Sequence, residues 1–162
     1  MKYHPAPRDS FPVYSVFADN LDATIETLKP PCSRFVLLVA ADTERIAPSV
    51  LQAWAGRVLD QGAVYVCCWG PGCEQLHFAF DMARMDRETA EARADGESVI
   101  MTTWHTDEPL LEAVWFSVHA AFPTGMYEAG TDAVVVATVA RDDWHRELAQ
   151  YLDDGAPIRD AV

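Results

Sequence analysis

Basic residues are scarce in this chain: 12 lysines and arginines stand against 25 aspartates and glutamates, a formal net charge of −13. A surface so negative repels phosphate backbones and anionic lipid headgroups, which argues against nucleic-acid and membrane binding. It suits a basic protein partner or plain solubility. The acids are scattered, with only short pairs such as Asp142-Asp143 and Asp153-Asp154, so they form no acidic tail.

Long apolar runs are missing as well. "FVLLVAA" and "AVVVATVA" fall far short of the ~20 residues that a membrane-crossing helix needs. The opening "MKYHPAPRDS" has two prolines and no apolar run behind a basic start, so no signal peptide is expected and the protein reads as cytoplasmic. Cysteine is limited to Cys32, Cys67, Cys68 and Cys73, with no C-x-x-C pair. Cys67 and Cys68 are neighbours in an apolar run, where strand alternation sends them to opposite faces. That is poor material for a disulfide framework, and reduced thiols are expected. Glycine-rich phosphate loops are absent too. "ADTERIAP" follows the first long apolar run without a dinucleotide fingerprint, and neither a G-x-x-x-x-G-K-[ST] loop nor a G-x-S-x-G elbow occurs. No cofactor is implied.

What is present is enough apolar material for one domain: 162 residues, half of them hydrophobic. No stretch is long enough to serve as a linker, so residues 1–162 are read as a single α/β domain. From Arg34 onward, four short β-branched runs alternate with helical segments: "RFVLLVAAD" (34–42), "AVYVCCWG" (63–70), "SVIMTTWH" (98–105) and "DAVVVATVA" (132–140). The runs are continuously apolar, as strands buried on both faces should be. Between them, Ile46, Val50, Leu51, Trp54 and Val58 follow the rhythm of a buried helical stripe. Alternating strand and helix predicts a three-layer α/β sandwich with a mainly parallel, doubly wound sheet of four or five strands. Before Arg34, "PVYSVFA" reads as an extra edge strand and "LDATIETL" as a short helix ended by Pro30-Pro31. "RETAEARADGES" reads as the end of the second long helix and an exposed turn.

Ligands of open parallel sheets bind beyond the carboxyl ends of the strands. Here those ends bring Asp42 and Thr43, then Cys68 to Cys73, then Thr103 to Glu108, then Arg141 to Asp143. If the four runs are ordered 2-1-3-4 in the sheet, Asp42 and Thr43 face Thr103 to Asp107. Within "MTTWHTDEP", Asp107 ahead of Pro109 has the spacing of a helix cap, and capping is its expected main role. Asp142 is expected to cap the last helix in the same way. No cap requires His105, which makes it a candidate base or metal ligand beside carboxylates. Trp69 and Trp104 sit at equivalent strand ends, where they wall a pocket or cover the sheet.

In "CCWGPGCEQLH", Gly70-Pro71-Gly72 makes a turn and Cys73 falls in the first helical turn, where the macrodipole favours a thiolate. Cys73 is therefore a candidate nucleophile with His77 or His105 as base. Cys68, Cys73, His77 and His105 form an alternative zinc set, and simple packing of the thiols is the blander reading. "YVCCWGPGCEQLHFAFD" and "MTTWHTDEPLLEAVWF" resemble the signature stretches of a bacterial family of small domains without an assigned function. That resemblance spans roughly Arg34 to Pro123, agrees with an α/β fold and brings no catalytic residues.

Two functions follow as expectations. The first is a binding or regulatory module acting through a protein or a small ligand, with Asp42, Thr43, Trp69 and Trp104 as ligand contacts. The second is a small hydrolase or transferase using Cys73, His105 and Asp107.

Overall fold

The computed structural model describes residues 1–5, 10–88 and 90–156. The four apolar runs form strands β3 (Arg34–Ala40), β4 (Ala63–Trp69), β5 (Met101–His105) and β6 (Thr131–Val139). Two more strands precede them, β1 (Lys2–His4) and β2 (Val13–Ala18). The sheet therefore has six strands rather than four or five, in the order β1-β2-β6-β3-β4-β5. Among the described residues only the β1–β2 pair is antiparallel.

Alternation along β3 shows how both faces are used. Phe35, Leu37 and Val39 pack with α2 (Pro48–Asp60) and α3 (Cys73–Met85), while Val36, Leu38 and Ala40 pack with α5 (Leu110–His119) and α6 (Asp142–Asp153). All six side chains are fully buried, which is why the run is apolar without a break. Cys67 and Cys68 divide between the same two clusters, and all four cysteines are free. The stripe of α2 differs in detail from the sequence reading: Val50 is exposed, and Ala55 and Leu59 are buried beside Leu51, Trp54 and Val58.

Strand order departs from 2-1-3-4. Helices α2 and α3 lie on one face, so right-handed crossovers carry the chain stepwise from β3 to β4 to β5. Helix α5 crosses the other face, and the chain steps back to insert β6 between β2 and β3. As a result β4 separates β3 from β5, and the ends of those two strands do not face each other.

"PVYSVFA" is an inner strand, parallel to β6, because β1 covers its outer side. The side chain of His4 in β1 is fully buried, with its ring nitrogens 2.7 Å from Ser15 Oγ and 2.8 Å from Asp153 Oδ1. These contacts fasten β1 to β2 and α6. Helix α1 (Leu21–Thr27) is capped by Asn20, whose side chain accepts from Ala23 N–H at 2.9 Å. The polar stretch after Met85 forms a separate short helix, α4 (Ala90–Asp95), rather than the end of α3. No helix among the described residues is long and apolar enough to cross a membrane.

Candidate functional site

Gly70 and Gly72 both take positive φ after β4, at 109° and 77°. A Cβ on Gly70 would meet the Ala41 carbonyl oxygen at 2.5 Å, and one on Gly72 would meet Glu44 N and Thr43 Oγ1 at 2.7 Å. Glycine is required by close approach as well as by φ. Thr43 secures the junction: its N–H donates to the Pro71 carbonyl at 2.8 Å and its hydroxyl to the Gly72 carbonyl at 2.9 Å. The Gln75 amide donates to the Thr43 carbonyl. Thr43 is fully buried, so it builds the loop and lines no opening. Asp42 is exposed and accepts from Glu44 N–H at 3.3 Å.

Beyond β5, the turn at residues 106–109 is shaped by Glu108. Its carboxylate lies 2.7 Å from His105 Nδ1, and its backbone carbonyl accepts Trp69 Nε1–H at 2.9 Å. Asp107 takes φ 61° to allow this, a left-handed conformation that aspartate tolerates better than most residues. Here the capping expectation is corrected. Pro109 is itself the N-cap of α5, no side chain caps the helix, and Asp107 stands two residues too early to reach its first turn. A one-residue shift applies to Asp142, which begins α6 after the N-cap Arg141 and accepts from Arg146 Nε at 2.9 Å.

His105 is 7% exposed and held at both nitrogens, by Glu108 and by Thr103 Oγ1 at 3.2 Å. Its ring edge packs against Phe116, with centroids 4.9 Å apart. Beneath it on the same face lie Tyr65 and Cys67, both hydrogen-bonded to Thr103. Burial pushes the Tyr65 hydroxyl and the Cys67 thiol up to about 12 each, so neither supplies an anion near neutral pH.

An open cavity of about 650 Å³ sits above these residues. Trp69, His105, Glu108 and Trp144 form one side; Glu44, the Gly70–Glu74 turn, Thr106 and Asp107 complete it. The Trp69 and Trp144 rings meet edge to face at 4.9 Å and 80°. Arg141 lies over Trp144, 4.1 Å from its ring centre, and is paired with Asp143, whose carboxyl it holds down to about 2.

The family model of a domain of unknown function, DUF7684, matches residues 16–155. The chain belongs to the DUF7684 family. No curated protein matches it. The DUF7684 match is wider than the resemblance over residues 34–123, and every residue lining the cavity falls inside it.

The structure divides the candidate residues of this DUF7684 chain. Cys73, His105, Asp107 and Trp69 line the cavity. Asp42 and Thr43 do not, although Glu44 beside them does. Trp104 does not either: it is 49% exposed and leans on His77 at 4.5 Å, on the face opposite Trp69 and His105. Cys73 is 5% exposed, and its sulfur contacts Thr106 Oγ1 at 3.5 Å rather than a histidine. His77 is engaged elsewhere, 3.5 Å from Asp81 and 3.4 Å from Thr102, and burial lowers its pKa. The zinc set does not converge, since Cys68 and His105 point to opposite faces of the sheet. Among the described residues, no group of three or more His, Cys, Asp or Glu is placed to hold a metal ion.

Sequence reasoning missed Glu44, Glu74, Thr106 as a wall, and Trp144. Trp144 was within reach of it: "RDDWH" follows β6 directly, and its tryptophan lies in the first turn of α6, on the side where the strands end.

Proposed function

We propose that this chain is a small acidic binding module of the bacterial cytoplasm, folded as one domain, that takes a small ligand at the carboxyl ends of β4 and β5. The observation that supports the reading is the cavity of about 650 Å³ walled by Trp69 and Trp144 over the His105–Glu108 pair. Its size suits a small molecule, and the His105–Glu108 pair gives it a polar group fixed in place. The core clusters on opposite faces of the sheet support a three-layer description of the same architecture. A net charge of −13 argues against nucleic acid and anionic membrane as partners.

The test is a titration of ¹⁵N-labelled protein with mixed small molecules, read on the tryptophan indole N–H signals. The chain has five tryptophans, and ligands that fill the cavity should shift the Trp69 and Trp144 signals together. Trp144→Ala should abolish the shift of Trp69. Binding that moves only Trp54 or Trp115 would refute this location.

A second reading, a hydrolase or transferase, is supported by the presence of Cys73, His105 and Asp107 around one cavity. Burial of Cys73 and the double engagement of His105 weigh against it. Turnover of any ester or thioester panel that is lost in Cys73→Ala with unchanged melting would favour the enzyme.

A further inference from the structure

Resting on the binding reading above, we infer that the ligand is a cation: an alkylammonium or guanidinium group on a short apolar body. Four carboxylates line the cavity, from Glu44, Glu74, Asp107 and Glu108, and among the described residues no lysine or arginine does. Glu108 is engaged by His105, whereas the other three have no ion-pair partner among the described residues. All three are exposed side chains lining one concave space, where a bound positive charge finds acceptors without displacing an ion pair.

The aromatic wall points the same way independently. Indole faces attract cations, tryptophan most strongly of the aromatic side chains. Trp144 already carries one such contact, the Arg141 guanidinium 4.1 Å from its ring centre. Arg141 is neutralised by Asp143 through two hydrogen bonds and does not line the cavity. The paired rings of Trp69 and Trp144 also supply apolar surface for the body of the ligand.

One feature of the cavity favours an anion: the N-terminus of α3 at Cys73 opens on it without a side-chain cap. A helix end is equivalent to roughly half a positive charge. Three free carboxylates outweigh it, and Glu74 in the first turn of α3 offsets it directly. The cation wins.

The same chemistry has two sources, a free amine or a lysine or arginine side chain on a basic peptide. The experiment uses three probes with one body, n-butylammonium, n-butanol and n-butyrate, followed on the Trp69 and Trp144 indole signals. n-Butylammonium is expected to shift both signals saturably, and more weakly as salt is added, while n-butyrate leaves them still. The double variant Glu44→Gln, Asp107→Asn should weaken n-butylammonium about fivefold or more. Its fold is verified by the other three indole signals, and asparagine suits the left-handed φ of Asp107. An octalysine peptide that shifts the same two signals more tightly than n-butylammonium identifies a basic protein as the source. If it shifts them no better, the free amine is the source.

If n-butanol or n-butyrate moves both indoles and n-butylammonium does not, the charge inference is overturned and the binding site stands. If none of the three moves them, both fall. Undiminished n-butylammonium binding by the double variant overturns the role given to the carboxylates.

Discussion

The Trp69 indole donates to the Glu108 carbonyl at 2.9 Å, and this single bond joins the end of β4 to the turn that starts α5. The same residue, Glu108, holds His105 through its carboxylate at 2.7 Å. One side chain and one carbonyl thus fix two walls of the cavity. Asp107 lies between the held residues His105 and Glu108, and its backbone there turns left-handed.

That conformation is testable against the capping role that the sequence suggests for Asp107. Threonine caps helices nearly as well as aspartate, so Asp107→Thr should be close to silent in a cap. A β-branched residue fits a left-handed site poorly, with a cost of roughly 1–2 kcal/mol. We expect Asp107→Thr to lower the thermal midpoint measurably, while Asp107→Asn and Asp107→Gly leave it near the parent value. A silent Asp107→Thr would return Asp107 to the cap.

The legible part of this molecule was the part dictated by burial. Residues 35–40, 63–69 and 133–137 are apolar at successive positions because both faces of each strand are covered, and that pattern needs no knowledge of partners. Strand order was not legible. It depends on the face each crossover helix chooses, and α5 chose the face opposite α2 and α3. Strand β1 left no periodic signal, since three residues held by a contact between His4 and Asp153, 149 positions apart, carry no local pattern. The cavity was half legible for the same reason: Trp69, Cys73, His105 and Asp107 lie at strand ends, but Trp144 comes from α6 and Glu44 from a loop brought across by Thr43.

Thiol chemistry separates a buried cysteine from a catalytic one. Cys67 and Cys68 are fully buried, Cys73 is 5% exposed, and only Cys32 is partly open. Native protein treated with a small alkylating reagent should therefore label Cys32 first and the other three only on unfolding. Peptide mapping after a short exposure reads this directly. Labelling of Cys73 at or above the rate of Cys32 would revive its role as a nucleophile, because reaction needs both access and a thiolate.

Three histidines, His4 fully buried and His77 and His145 partly so, shape the response to acid. Burial lowers the pKa of His4, His77 and His145 below the ordinary value of 6.5, and it outweighs the nearby carboxylates that push the other way. A group with a lowered pKa in the folded state binds fewer protons there than in the unfolded chain. Its contribution is complete above the unfolded pKa and is lost as pH falls toward the folded one. Denaturation midpoints should accordingly be level from about pH 8 to about 7 and decline below about 6.5. His4 offers the sharpest test, because its 2.8 Å contact with Asp153 would reverse the sign if charge pairing dominated desolvation. We expect the His4→Gln variant to be less stable at neutral pH and to show a shallower decline on acidification. A parent protein that gains stability between pH 7 and 5, with the gain lost in His4→Gln, would mean that His4 is held as a cation by Asp153 instead.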